Sequence, residues 1–297
     1  MNRRIYAVIV TYNPELKNLT KLVTDLSEQN CHIVVVDNSN ENIIPEDLFV
    51  HHENCKIFRL GKNEGIAKAQ NIGIRHALDD SANKIIFFDQ DSCIQSGFIE
   101  DLAAYMDRTA AQIVGPAFID RDKSHYYPIC NIKKNGLREK IHITDSKTPF
   151  TTSVTISSGT MVSKEVFEIV GLMDEGLFID YVDTEWCLRC FKHNILIHIV
   201  PEIKMIHAIG DKSIRIAGVN VPIHSPLRRY YRVRNAFLLL RNRNVPLLLT
   251  VREIVFSFVH TAIIVSTQKN KKEYIKYYAR ALIDGIKGIK GGYRHNG

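Results

Sequence analysis

The chain has 297 residues, 45% of them hydrophobic and 24% charged. That is room for one large α/β domain, or for a domain with an appendage, around an ordinary core, and the balance excludes a disordered chain. The net charge of +7, with Lys and Arg crowded after residue 203, favours an anionic partner: phosphates, acidic lipid or nucleic acid.

A first strand is predicted at Ile5 to Val10, after a start too short in apolar residues for a secretory segment. It runs into Thr11, Tyr12, Asn13 and Pro14, and Pro14 opens a helix with Leu16, Leu19, Leu22, Val23 and Leu26 at helical spacing. A second strand, Ile33 to Val36, ends in Asp37, and a third, Ile57 to Leu60, leads through Gly61 and Gly65 into a helix from Ile66 to Leu78. Strands that end in polar residues and alternate with helices predict a doubly wound sheet. Neither the dinucleotide glycine pattern nor a P-loop occurs, which removes most support for hydride transfer and for P-loop chemistry.

The apolar run Ile85 to Phe88 ends abruptly in Asp89, Gln90 and Asp91. A buried strand that delivers two carboxylates to its carboxyl edge puts them where open α/β sheets bind ligands. Carboxylates at this separation suit Mg²⁺ or Mn²⁺ bridging phosphates. Taken alone, the same residues also fit an Asp-rich turn. A helix follows at Phe98 to Met106 and a strand at Gln112 to Gly115, while residues 118 to 150, polar and without periodicity, read as a long mobile excursion, either a lid or solvated surface. A β-prone run from Thr151 to Thr160 carries Ser157, Ser158 and Gly159, and a helix from Lys164 to Val170 stops at Gly171.

Asp180, Asp183 and Glu185 then crowd beside Trp186 and Arg189. With a helix beginning at Asp183, that residue is its N-cap and the acids simply suit the dipole. Alternatively, a carboxylate there, shielded by Tyr181 and Trp186, is placed to accept a proton from a sugar hydroxyl. Strands Leu196 to Val200 and Lys204 to His207 close the domain. Six irregularly spaced cysteines argue for a reducing compartment without disulfides, and Cys187 and Cys190 read as small apolar residues on one helical face.

The text changes at Arg228, where Arg and Tyr interleave up to Asn235 before the apolar run Val245 to Val265 and a basic stretch, Lys269 to Lys276. Pro246, Arg252, Glu253 and His260 interrupt that run, so it reads as an amphipathic helix lying on an anionic bilayer and not as a transmembrane span. A helix pair packed on the domain or on a second subunit is the alternative, which leaves a homodimer open.

Taken together, Val10–Asn13, Val35–Ser39, Gly61–Gly65 with Ala69–Gly73, Phe88–Ser92, Ser158–Thr160 and Phe178–Arg189 resemble family 2 glycosyltransferases, most closely bacterial rhamnosyltransferases of O-antigen and related cell-wall polysaccharides. The motifs keep the family's order over roughly residues 5 to 235. The resemblance implies a GT-A fold, a Rossmann-like mixed sheet flanked by helices, over residues 1–225, with a basic helical extension over 226–297. It implies an inverting, metal-dependent transfer from a nucleotide sugar, dTDP-rhamnose or a UDP-sugar, to a polyprenyl-diphosphate-linked saccharide at the cytoplasmic face of the inner membrane. Thr11, Tyr12, Asn13, Asp37, Asn63, Gly65, Gln70 and Asp89 are then the nucleotide-binding residues, and Asp91 and His207 the ligands of Mg²⁺ or Mn²⁺. Asp183 is the catalytic base, with Asp180 as the alternative. Ser158, Gly159, Asp180, Trp186, Arg228 and Arg229 face acceptor or diphosphate, Tyr231 is a further phosphate contact, and Gly210 to Ser213 form a loop over the diphosphate. The family's pattern has Glu where this chain has Val182, and Asp where it has Glu185; Gln90 departs too, at a position implied to point away from the ligand.

A nucleic-acid-binding protein is the reading from another class, but its basic residues sit beside an apolar helix and no reader motif occurs. Nucleotidyl transfer would need a Gly- and Arg-rich first loop in place of Thr11–Pro14. A catalytically dead sugar-binding scaffold fits poorly with intact Asp91 and Asp183.

Overall fold

The computed structural model describes residues 4–120, 125–143, 148–207, 213–216 and 219–294, with side chains described outside 207–221. The first half alternates strand and helix: Ile5–Thr11 (β1), Leu16–Ser27 (α1), His32–Asp37 (β2), Cys55–Arg59 (β3), Ile66–Asp79 (α2), Lys84–Asp89 (β4), Phe98–Thr109 (α3) and Ile113–Asp120 (β5). A hairpin of Ile129–Ile132 (β6) and Arg138–Ile141 (β7) follows, then the short strands Phe150–Thr152 (β8) and Met161–Ser163 (β9). Lys164–Val170 (α4), Val182–Lys192 (α5) and the long strand Ile197–His207 (β10) lead to a second hairpin, Ser213–Ile216 (β11) and Val219–Pro222 (β12). Pro226–Leu239 (α6), Leu247–Thr267 (α7) and Lys271–Lys287 (α8) complete the chain.

Eight strands form one mixed sheet in the order β3-β2-β1-β4-β9-β5-β10-β8. β1, β2, β3 and β4 pair in parallel, and β9 inserts antiparallel between β4 and β5. The parallel strands are buried on both faces, which explains why they read as unbroken apolar runs. Strand order reverses beside β1, so its carboxyl end opens a crevice. Register aligns the polar residues there: Thr11 pairs with Asp37, and Val10 with Asp89.

The excursion expected over residues 118–150 is instead largely structured. β5 runs on to Asp120, and β6 and β7 pair in register from Ile129↔Ile141 to Ile132↔Arg138. The turn is closed by the Gly136 N–H bonding to the Lys133 carbonyl at 2.7 Å, with Gly136 at φ +89°. Asn135-Gly136 is a hairpin signal lying between two short, polar-looking strands, whose periodicity is too brief to register. The two closing strands are one, β10, with its register shifted between Val200 and Lys204. α5 starts at Val182, so Asp183 sits in its first turn and is not its cap. α7 is long and apolar enough, by length and composition, to cross a membrane, which the charged interruptions in the sequence appeared to exclude.

Helix α2 packs on the sheet so closely that a Cβ at Gly73 would collide with Val8 on β1. Gly73→Ala is therefore expected to destabilise the fold by about 1–3 kcal/mol, the range for overpacking a filled core, read as a lower urea midpoint with unchanged m-value.

Candidate active site

The carboxyl ends of β1, β2 and β4 supply one wall of the crevice. Asp37, buried, accepts through Oδ1 from Thr11 Oγ1 at 3.0 Å, Ser39 Oγ at 2.6 Å and the Ser39 N–H at 3.2 Å. Asn13, at φ +47°, is tied through its N–H to Ser39 Oγ at 2.8 Å. Tyr12 projects outward, and its N–H donates to Gln90 Oε1 at 2.7 Å. Gln90 thus braces the loop after β1 from the loop after β4, where the sequence implied a residue merely pointing away. Across the crevice, Asn63 Oδ1 accepts from Asn38 Nδ2 and from the Gly65 N–H, each at 3.0 Å.

A second wall comes from the segment before β9. Ser158 Oγ accepts from the Asp89 N–H at 3.1 Å and lies 3.0 Å from Ser92 Oγ, so it fixes the turn that carries Asp89 and Asp91. The Gly159 N–H bonds to the Phe87 carbonyl at 2.7 Å; Gly159 is at φ +76°, and a Cβ there would stand 2.6 Å from Met205 Sδ. Asp89 is half-buried and Asp91 exposed at the mouth.

Asp183 projects from the first turn of α5 and accepts hydrogen bonds from the N–H and Oγ–H of Ser157. Ser157 Oγ in turn accepts from Gln70 Nε2 at 2.9 Å, while Gln70 Oε1 is buried without a partner. Burial, first, and the neighbouring Asp89 carboxylate, second, push the Asp183 carboxyl up to about 6, against the lowering effect of Ser157. A carboxylate with its affinity for protons raised towards neutrality, at the mouth of a cleft, is suited to proton transfer. The other acids of the cluster differ in role. Glu185 is buried, held by Arg189 Nε at 2.9 Å and by Asn242 Nδ2 at 2.9 Å. Asp180 lies 3.6 Å from Arg228 Nε and 3.9 Å from an Arg232 nitrogen.

The loop before α5 is strained: Phe178, Asp180 and Tyr181 all have φ between +63° and +66°. Asn235 on α6, fully buried, donates through Nδ2 to the carbonyls of Leu177 at 2.9 Å, Ile179 at 2.8 Å and Asp180 at 3.0 Å. Arg234 beside it bonds the Gly176 and Leu177 carbonyls at 3.3 and 3.0 Å, and also reaches the Gly291 carbonyl. Gly65 admits the loop from the other side, since any Cβ would lie 2.7 Å from the Phe178 carbonyl oxygen.

The sequence profile of Glycosyl transferase family 2 matches residues 6–171. The chain belongs to glycosyl transferase family 2. It is 68% identical over 296 residues, covering 100% of both chains, to the dTDP-rhamnosyl transferase RfbF of Shigella flexneri, and 24% identical over 78% of its length, and 73% of the relative's, to the low-salt glycan biosynthesis hexosyltransferase Agl10 of Haloferax volcanii. Among solved structures it resembles S. aureus TarS, with TM-score 0.60, 18% identity and 96% and 81% of the two chains covered. A structure of GalNAc-T7 with UDP, GalNAc and Mn²⁺ matches at TM-score 0.58 and 16% identity, over 95% of this chain and 57% of that one. The protein is a glycosyltransferase with the GT-A fold.

Several expected site residues of this glycosyltransferase turn away from the crevice. Trp186 is buried, its indole N–H bonded to the Gly171 carbonyl at 2.9 Å and its ring against Phe167, so it packs the core behind Asp183 instead of facing an acceptor. Arg229 is buried towards α7, 3.4 Å from Thr261 Oγ1, and burial followed by the nearby Arg232 lowers its pKa to about 10; its helical neighbours Arg228 and Arg232 are the ones that reach the acid loop. Tyr231 stacks on Phe178 at 4.7 Å between ring centres. The side chain of His207 and residues 208–212 lie outside those described. Residues that the sequence reading passed over are Arg234, Asn235, Arg138 and Glu253; the last stood out only as an acid inside an apolar run.

Replacing Asn235 by Leu keeps the branched shape but removes the donor to the Ile179 and Asp180 carbonyls, leaving Leu177 to Arg234. The expected cost is roughly 2–4 kcal/mol, measured by chemical unfolding, with early proteolytic cleavage within residues 177–181.

Proposed function

We propose that the protein transfers L-rhamnose from dTDP-β-L-rhamnose, with inversion, to a saccharide acceptor carried on a lipid diphosphate, in bacterial surface polysaccharide synthesis. The observation that carries the sugar is the full-length 68% identity to a relative named as a dTDP-rhamnosyl transferase. A UDP-hexose donor is the alternative, favoured by the UDP bound in the GalNAc-T7 and TarS structures of the same fold.

In this reading the Asp37 carboxylate accepts the imide N–H of thymine or uracil, with Thr11 and Ser39 fixing its rotamer. Among the described residues no cluster of three or more His, Cys, Asp and Glu side chains forms a cage. Mg²⁺ and Mn²⁺ need none, because one or two carboxylates with substrate phosphates suffice. Asp91, exposed at the mouth, and Asp89 behind it fit that donor set, with His207 as a further candidate; the ion would supply positive charge for the departing diphosphate. Asp183 removes the acceptor hydroxyl proton as the new glycosidic bond forms at the anomeric carbon and the bond to the diphosphate oxygen breaks. One displacement inverts the centre, so a β-linked donor gives an α-rhamnoside.

The outer face of α7, with Leu247, Leu248, Val251, Val255, Phe256 and Val259 exposed, is taken to rest on the cytoplasmic face of an anionic inner membrane. Glu253, near the start of the helix, is buried and bonded to the domain, which supports a helix lying on the surface over one crossing it. Binding to vesicles containing anionic lipid, measured by flotation, should be weakened at least tenfold in the Val255→Glu/Val259→Glu double variant and by high salt. Equal flotation of variant and wild type would refute it.

Nucleotide diphosphate release from dTDP- and UDP-sugars, with Mg²⁺ or Mn²⁺ or with chelator, tests the donor; metal-dependent release from dTDP-rhamnose is the expected result. Asp183→Asn should lower kcat by about 10²–10⁴-fold with donor affinity retained, while Asp91→Asn should weaken metal-dependent donor binding. The rate should fall tenfold per pH unit below about 6, as Asp183 becomes protonated. The sign for stability is opposite. Between the ordinary carboxylate range and about 6 the folded protein keeps a proton that the unfolded chain has lost, so this group makes the fold less stable as pH rises through that window. Asp183→Asn should therefore be no less stable than wild type at pH 7.

A further inference from the structure

A cavity of about 450 Å³ opens against the first turn of α5, at the residues that flank Asp183, and is not lined by the donor residues above. Its walls come from distant parts of the chain: Phe118 on β5, the β6–β7 hairpin, the segment 154–156, the start of α5 with the loop before it, and the C-terminal helices α6 and α7. Tyr181 and Thr184, which flank Asp183 in sequence, line it, and Thr155 lies two residues before the Ser157 that bonds Asp183. That volume is within the ~300–1,000 Å³ range of small-molecule sites.

We propose that this cavity seats the terminal sugar of the acceptor, that it selects a neutral ring bearing a methyl group, as in a 6-deoxyhexose or an N-acetylhexosamine, and that Glu253 is the positioning residue that builds it. The inference rests on the glycosyl-transfer reading above and adds the chemistry of the acceptor to it.

Charge decides for a neutral ligand. Glu253, 7% exposed, accepts from Tyr181 Oη at 2.8 Å, from Arg138 at 3.1 Å and from Arg252 at 2.7 Å. Arg232 lies over the Tyr181 ring, 5.6 Å from its centre, and near Asp180. Arg138 is thus bonded to Glu253, Arg232 is set between Asp180 and the Tyr181 ring, and a phosphate entering would meet the buried carboxylates of Glu253 and Asp180. The remaining walls, including Ile129, Ile132, Val154 and Leu249, are apolar and suit a methyl group and the apolar face of a pyranose. Thr155 Oγ1 is buried and has no hydrogen-bond partner, so a ligand hydroxyl arriving there would satisfy it. A purely hydrocarbon ligand would leave it unsatisfied and the Tyr181–Glu253–Arg138 group facing an apolar chain.

Glu253 touches no reacting atom. It joins the loop that carries Asp183, through Tyr181, to the β6–β7 hairpin, through Arg138, so its removal should loosen both sides of the seat together. The test is ligand-observed NMR on the full-length protein with dTDP and Mg²⁺, using methyl glycosides of rhamnose, N-acetylglucosamine and glucose as probes. Expected is binding of the first two at least tenfold tighter than that of the glucoside, with saturation transfer strongest at their methyl groups. Thr155→Val and Glu253→Gln should each erase that selectivity, and Glu253→Asp should restore part of it. Thr155→Val, a small change at a partly buried position, keeps the test sound if Glu253→Gln fails to fold. Equal affinity for all three sugars, no binding of any, or unchanged selectivity in both variants overturns the proposal, as does displacement by a short prenyl phosphate alone. The transferase reading fails separately, by absence of nucleotide diphosphate release from any donor.

Discussion

The position of Asp183 depends on a loop that would not adopt its conformation unaided. Non-glycine residues at positive φ cost of order 1–3 kcal/mol each and persist only where the surroundings over-determine them. Phe178, Asp180 and Tyr181 are three within four residues. What determines them is the side chain of Asn235, whose amide donates to three carbonyls of residues 177–180, with Arg234 reinforcing the same stretch. Asn235 Oδ1 is itself held by Arg234 Nε at 3.0 Å, so donor and acceptor are both committed and the clamp has one orientation. The Asp183 carboxylate is set by a helix some fifty residues further on, and α6 builds the candidate site as much as β4 does.

That arrangement explains how one short sequence can hold acids with different chemistry. Asp183 and Glu185 are two positions apart on a helix and therefore point in different directions. Glu185 turns inward to Arg189, which also bonds the Val170 and Leu172 carbonyls at 2.8 and 2.7 Å and so anchors α5 to the end of α4. Asp183 turns towards Ser157, which donates to it, and the charge that bears on it most is the like charge of Asp89. Glu185 has a cation to balance it. Asp183 is desolvated by burial and has a second carboxylate against it, and its proton affinity rises for those two reasons in that order.

Much of this was legible in sequence because the crevice is made of strand ends. A run of buried apolar residues that stops at a polar one marks both the strand and its exit, and Thr11, Asp37 and Asp89 were found that way. Residues acting through side-chain bonds to distant backbone carry no such mark. Asn235 sits in a stretch whose arginines and tyrosines invite a phosphate-binding reading, yet in space Tyr231 stacks on Phe178 and Arg229 points to α7. Trp186, which the resemblance turns towards an acceptor, shares a helix face with Asp183, but its indole N–H is spent on the Gly171 carbonyl and its ring packs against Phe167 in the core, which spacing along the helix does not reveal. The β6–β7 hairpin was lost for a different reason. Its strands are four residues each, too short for periodicity to rise above noise, and only the Asn-Gly turn announced them.

α7 shows where composition misleads in both directions. Its apolar character meets the length and hydropathy of a spanning helix, while its interruptions, Arg252 and Glu253, speak against one. The structure gives the two charges a common purpose on the inner face: Glu253 is the acceptor for Tyr181, Arg138 and its own neighbour Arg252, so burying it removes no charge from its partners. A buried carboxylate with three donors is costly to strip of any one of them, since the desolvation of the group stays while the bond is lost. The outer face is under no such constraint and is free to be apolar. The same helix can therefore present hydrocarbon to one side and a fixed polar cluster to the other, and the cluster lies on the cavity against the first turn of α5. On the proposed reading, in which α7 rests on the membrane and the cavity takes the acceptor's sugar, one element serves both, and surface and site need no separate coupling device.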